Sequence, residues 1–290
     1  MMSSPRSTLQ ERVRAKLLAG SPILGAVAGT AASARCEEAC GVDLIVLSSS
    51  GRFAQAGPGS LGGLLPYGNA NEIVKEMARE ILSAVQRTPV LAGVCGTDPL
   101  LLPSRHIAEL QQLGFSGIQN TPTVGLIDGQ FRKNLDETGI RFDLEIACVA
   151  EAHAMGMLTV PNVFDADQAG RMADAGADLL VAHMGLSLSG TDGAAMMKTL
   201  PECVDEIRRI ADAARARRED VDILCHGGPL LTAEDVQFVL DRCPEVVGYH
   251  GLNAAERPDP QAAIAEEVRS LAGVKLSRPR GKRRPLLSLP

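Results

Sequence analysis

The 290-residue chain has no tryptophan, two tyrosines and six phenylalanines. So few rings exclude the aromatic platforms that hold single-stranded nucleic acid. They suit a core of Val, Leu, Ile and Ala in a layered α/β protein. No apolar run approaches the roughly 20 residues of a membrane span. Residues 1–20 lack a hydrophobic signal core, so the expectation is a cytoplasmic chain with no membrane partner. Seven cysteines form no CxxC pair, which argues against a zinc ribbon or finger. They are expected to be reduced and mostly buried. Acidic residues are missing from Lys275–Pro290, which carries six basic ones. Removing those six positive charges from the net −6 leaves −12 on residues 1–274. An acidic body of that kind excludes a phosphate-backbone binder, so no nucleic-acid partner is expected.

What the chain does have is eight short apolar runs. They are Pro22–Ala28, Asp43–Ser48, Pro89–Cys95, Phe115–Asn120, Leu158–Phe164, Asp178–His183, Val221–His226 and Val246–Asn253. None alternates cleanly between polar and apolar, which predicts strands buried on both faces, as in a parallel sheet. Helical spacing fills the gaps, with Ile73, Met77, Ile81 and Val85 in one and Val236, Val239, Leu240 and Cys243 in another. Thr232 with Asp235 predicts a capping box, and Asp259–Pro260 predicts a helix start. The segments EEACGVDLIVL (37–47) and ADAGADLLVAH (173–183) share one cadence of helix, glycine, aspartate and strand, and 109–119 is a variant. A glycine there ends the helix in a left-handed cap. Strand–helix alternation repeated eight times predicts an α/β fold, a single (β/α)8 TIM barrel, with a doubly wound open sheet as the alternative. The expected organisation is a helical extension at 1–20 with Leu9, Val13, Lys16 and Leu17 near one face, the barrel at 21–274, and a disordered basic tail at 275–290.

In such a barrel, chemistry sits at the C-terminal ends of the strands. Three connections there are long and glycine-rich, at 49–69, 121–139 and 185–198, and read as lids or substrate walls. Asp98, Asn120, Asn162, His183, His226 and His250 fall at or near strand ends. His183 and His226 end neighbouring strands, which makes them candidates for moving protons, while each could equally be a packed core histidine. Gly227 and Gly228 after His226, with Gly251, Asn253 and Arg257 in the last connection, are the candidate phosphate loops; a tight turn is the plain alternative. Arg52, in SSSGRF, could grip a carboxylate or phosphate bidentately. Asp98 is the candidate general base or Mg²⁺ ligand, and Glu137 and Glu145 either contribute from the second long connection or are simply solvated.

The strings LSSSGRF, GSLGGLLPYGNAN, PVLAGVCGTDP, GFSGIQNTPTVGLIDGQFRKNLDETG, VAHMGL and ILCHGGP resemble the phosphoenolpyruvate hydrolase-like family of barrel proteins, over roughly residues 20–272. That family is grouped with the phosphoenolpyruvate/pyruvate-binding barrels and is related to the C-terminal barrel of plant tobamovirus-resistance proteins. The resemblance implies an enzyme acting on a small phosphorylated or phosphono 2-oxo acid, with Mg²⁺ as cofactor and no nucleotide or organic cofactor. Arg52, Gly96, Asp98, Asn120, Asp128, His183, His226 and Gly227 stand in the matched motifs.

The resulting expectation is hydrolysis or lyase chemistry beside a 2-oxo acid. Asp98, His183 and His226 would be catalytic, with Asp98 also the metal ligand. Arg52, Asn120, Asn162, Gly227, Gly228, Gly251 and Asn253 would bind substrate. One alternative is a non-catalytic anion-binding or regulatory barrel. Another is a phosphosugar or indole-precursor enzyme, disfavoured because no lysine lies in a predicted strand. Apolar loops such as Leu61–Pro66 need cover, so a homo-oligomer is expected.

Overall fold

Each apolar run is a strand, and one of them is two. The computed structural model describes residues 5–56, 60–186, 198–251 and 260–276. Its strands are β1 (Ile23–Ala28), β2 (Leu44–Leu47), β3 (Val90–Gly93), β4 (Gly117–Gln119), β5 (Leu158–Thr159), β6 (Asn162–Val163), β7 (Leu179–His183), β8 (Asp222–His226) and β9 (Val246–His250). Helix α1 (Pro5–Leu18) precedes β1, α2 (Ala31–Cys40) follows it, and α3 (Ser49–Ala56) and α4 (Ala70–Leu82) lie between β2 and β3. Next come α5 (Pro103–Leu113), then α6 (Gly129–Glu137) and α7 (Phe142–Ala154) between β4 and β5, and α8 (Ala166–Asp174). The series ends with α9 (Leu200–Arg217), α10 (Ala233–Arg242) and α11 (Pro260–Ala272).

All strand pairs are parallel, in the order β5-β4-β3-β2-β1-β9-β8-β7-β6. The two ends of that order are halves of one run of chain. β5 bonds to β4, and the ladder continues as Val160 N–H donates to Ile118 O. Pro161 has no N–H to give, and past it the chain bonds on its other side, Val181 N–H donating to Pro161 O and β6 pairing with β7. The sheet therefore closes into an eight-stranded (β/α)8 barrel whose fifth strand is split at a proline. The split strand departs from the continuous one expected over Leu158–Phe164.

Alternate side chains point to opposite faces of a strand, and here both faces are buried. Outward residues such as Leu24, Ala26, Ile45 and Leu47 pack under Val74, Met77 and Ile81 of α4 and their counterparts on the other helices. Inward residues Ile23, Leu44, Val46, Leu91, Leu158, Leu179, Val181, Leu224 and Val247 form a second cluster, completed by Leu9, Val13 and Leu17 of α1. Helix α1 is thus packed into the N-terminal opening of the barrel, each buried side chain contributing roughly 1.5–3 kcal/mol. Lys16 Nζ reaches Asp43 Oδ2 at 2.6 Å, and the same oxygen accepts the Leu24 N–H at 2.8 Å.

The shared cadence has a physical basis. Gly41 and Gly114 close α2 and α5 in the left-handed region. Asp43 and Asp178 then clip each new strand to the one before it. Their N–H groups donate to Leu24 O and Thr159 O, and their carboxylates accept from Leu24 N and Thr159 N. The Thr232–Asp235 capping box is present, and α11 begins at Pro260, while Asp259 lies outside the described residues. Two of the long connections contain helices, α3 in the first and α6 in the second. Most of the third, residues 187–197, and the tail from 277 lie outside the described residues. No helix among the described residues is long and apolar enough to cross a membrane.

Candidate functional site

Along the inward rows the chemistry changes from bottom to top. Leu179 and Val181 lead to His183, Leu224 to His226, Leu158 and Val160 to Asn162, and Gly117 to Gln119. The strand period of two carries the row upward, so the C-terminal mouth is lined by polar groups above an apolar floor. His183 and His226 are direct register partners on β7 and β8, with ring centroids 4.5 Å apart and edge to face. His250 on β9 lies 5.8 Å from His226, and Phe164 covers His183 at 4.9 Å. From the opposite wall, the Gln119 amide meets His250 Nε2 at 3.2–3.3 Å and donates to Val160 O at 3.0 Å.

Space for these rings comes from glycines. A Cβ at position 25 would lie 2.2 Å from His250 Nδ1, and one at 251 would lie 2.4 Å from the His226 ring. Gly251 also has φ +92°, a conformation that other residues resist. Gly227 and Gly228 have positive φ too, and the Gly228 N–H donates to Gly185 O at 2.8 Å. That N–H is therefore engaged within the protein. Asn253 lies outside the described residues.

Burial sets the protonation of the cluster. It lowers His226 to about 4, against a pull upward from the His250 backbone. It lowers His250 to about 3, helped by the neighbouring His226 ring. His183 falls well below its ordinary range through burial and its two histidine neighbours. All three rings are neutral at pH 7. His183 Nδ1 accepts the Gly185 N–H at 3.1 Å, so its own proton sits on Nε2. His226 Nδ1, His250 Nδ1 and Asn162 Oδ1 are buried without a hydrogen-bond partner among the described residues. Unsatisfied polar atoms of this kind are costly in a core, and these three lie on β6, β8 and β9.

Asn120 and Asn162 join β4 to β6 where the proline interrupts the ladder. Asn162 N–H donates to Asn120 Oδ1 at 2.6 Å, and Asn120 Nδ2 donates to Asn162 O at 3.2 Å and Glu145 Oε2 at 2.6 Å. Glu145, on α7, is fully buried rather than solvated. It also accepts Thr123 Oγ1 at 2.6 Å and Val124 N at 2.8 Å, pinning the start of the second long connection. Burial pushes its carboxyl up to about 7 against those donors.

Asp98 stands apart from the histidines, past the end of β3. Burial raises its carboxyl, but the Leu100 N–H and the Asn69 and Asn71 amides outweigh that and hold it below the usual carboxylate range. Its Oδ2 accepts from Asn69 at 2.9 Å and Asn71 at 3.2 Å, and its Oδ1 from Leu100 N at 2.9 Å. Two amide NH₂ groups aimed at a lone carboxylate do not fit a divalent cation, and among the described residues no three His, Cys, Asp or Glu side chains gather as a metal set. Arg52 is half exposed on α3 and lies 3.8 Å from Glu76. Ser48 caps the first turn of α3 by accepting the Gly51 N–H, and the Ser49 hydroxyl is buried there without a partner.

Residues 8–274 match the profile of the family described as phosphoenolpyruvate hydrolase-like. The chain is 47% identical over 271 residues to the ToMV resistance protein Tm-1(GCR237) of Solanum lycopersicum, and equally to the ToMV susceptible protein tm-1(GCR26) of the same plant. Each alignment covers 93% of this chain but 36% of the relative, so the chain spans about a third of those proteins. Among solved structures, a 2-keto-3-deoxy-6-phosphogluconate aldolase from Zymomonas mobilis superposes with a TM-score of 0.49 at 16% identity, over 91% of this chain and 98% of that one. The family match spans the barrel from α1 to the end of α11, and on it the chain belongs to the phosphoenolpyruvate hydrolase-like family.

Proposed function

We propose that the chain is an enzyme acting at the C-terminal mouth of the barrel on a small phosphorylated or phosphono 2-oxo acid, of the phosphoenolpyruvate or phosphonopyruvate kind, by hydrolysis or lyase chemistry. The observation that carries this reading is the histidine wall: His183, His226 and His250 packed ring to ring at the mouth, with Nδ1 of His226 and Oδ1 of Asn162 unpartnered among the described residues. Family membership supports the substrate class.

Neutral imidazoles are suited to taking up a proton when an anion arrives. A carboxylate or phosphoryl group beside the rings offsets their desolvation and raises their pKa, so binding itself primes His226 and His183 as proton carriers. His183 offers its Nε2 proton to an oxygen of the ligand. Arg52, half exposed on α3 beside Glu76, exchanges that partner for the ligand's carboxylate. The Gly227 turn approaches the phosphoryl group through backbone.

The test is incubation with phosphoenolpyruvate or phosphonopyruvate, with and without Mg²⁺, following pyruvate by a coupled assay. The expected result is pyruvate release that falls by roughly 100-fold or more in His226→Asn, the range for loss of a general acid or base. Thermal stabilisation by either compound without product would favour the binding barrel instead. Neither product nor stabilisation would overturn the substrate class.

A further inference from the structure

Ten large apolar side chains are exposed among the described residues, and their placement is uneven. Eight of them lie on the connections that follow β2, β3 and β4, and six of these, Leu61, Leu65, Tyr67, Leu100, Leu102 and Phe131, come before the returning helices α4, α5 and α7. Those strands are neighbours in the sheet, so the six side chains share one sector of the C-terminal rim. Leu100 is 86% exposed, Tyr67 63% and Phe131 62%. In the closed ring this sector faces β7, β8 and β9, the strands that carry the histidines.

The exposed apolar area of the six is on the order of 600 Å², from the usual sizes of these side chains. That is the top of the range for the largest patch on a monomer. Stable interfaces are roughly 56–65% apolar, so such a patch corresponds to about 1,000 Å² per subunit, above the ~800 Å² that a standard interface buries on each side. An apolar patch is also complementary to itself, because it asks for no opposite charge, and a two-fold contact sets the same patch against its copy.

We infer that this sector of the rim is the contact between two copies of the chain, meeting through the connections after β2, β3 and β4. Pairing there leaves the histidine wall uncovered and sets the partner against the edge of the mouth that carries Asp98.

The experiment is sedimentation velocity on the full chain at micromolar concentration, for the wild type, for Leu100→Arg with Phe131→Arg, and for Leu231→Arg as an exposed apolar control away from the sector. The expected result is a dimer in the wild type and the control, with the dissociation constant raised roughly 100-fold or more in the double variant. Circular dichroism checks that the variant is folded, and Tyr67→Arg with Leu102→Arg repeats the test should the first pair misfold. A monomeric wild type, which would leave the rim to a different protein, overturns the inference. So does an oligomer that neither pair weakens.

Discussion

Glu37→Gln tests how far the packing of this barrel controls ionisation. Glu37 lies on α2 and is 1% exposed, with Oε2 unpartnered among the described residues. Burial pushes its carboxyl up from 4.5 to about 8. Between those values the unfolded chain has lost the proton and the folded chain keeps it. Unfolding therefore releases a proton, and the contribution of Glu37, fully present below pH 4.5, is lost as pH rises to 8. With 1.36 kcal/mol per pKa unit, the loss is about 1 kcal/mol at pH 5 and about 4 kcal/mol at pH 8. Glutamine keeps the size and removes the titration. Its amide adds a pH-independent cost of about 1–3 kcal/mol if it finds no acceptor, so the informative quantity is a difference of differences. Urea unfolding of both proteins at pH 5 and pH 8 should show the variant gaining about 3–4 kcal/mol on the wild type across that interval. Other titrating groups are common to both chains and cancel. A gap that changes by less than about 0.5 kcal/mol would refute the reasoning, because it would mean that Glu37 titrates normally.

Two further outcomes follow from the mouth of the barrel. Gly25→Ala places a methyl 2.2 Å from His250 Nδ1, so it should destabilise by about 1–3 kcal/mol and displace the His250 ring, read by urea titration and by its imidazole NMR resonances. His226 is lowered from 6.5 to about 4, so the unfolded chain takes up a proton before the folded one, and stability present above pH 6.5 is lost as pH falls towards 4. His226→Asn should therefore lose about 2 kcal/mol less than the wild type between pH 7 and pH 5, measured by the same titration.

The strands were legible because each is buried on both faces, and a doubly buried strand is written as an unbroken apolar run. The split at Pro161 was not, although Leu158–Phe164 contained the proline; only closure of the ring shows that the chain bonds to β4 before it and to β7 after it. The histidines were legible because they end runs that already had a direction. Gln119 was missed in favour of Asn120, one residue on. In a strand that single step changes the face, so Gln119 reaches across the barrel to His250 while Asn120 turns to Asn162 and Glu145. Glu145 and Glu37 carried no local signal at all, since nothing in a helical spacing says that a glutamate will be covered from every side. The glycines near the histidines were visible as glycines, but Gly25 and Gly251 make room for rings, and the N–H of Gly228 is held by Gly185 O.

The position of α1 has a consequence for synthesis. Leu9, Val13 and Leu17 leave the ribosome before any strand they pack against, and the cluster they complete also draws on Leu224 and Val247, more than two hundred residues later. Until then, the first helix has no finished seat. Its apolar face stays uncovered while those strands are being made, which makes α1 a natural place for a chaperone to hold and the last element to lock.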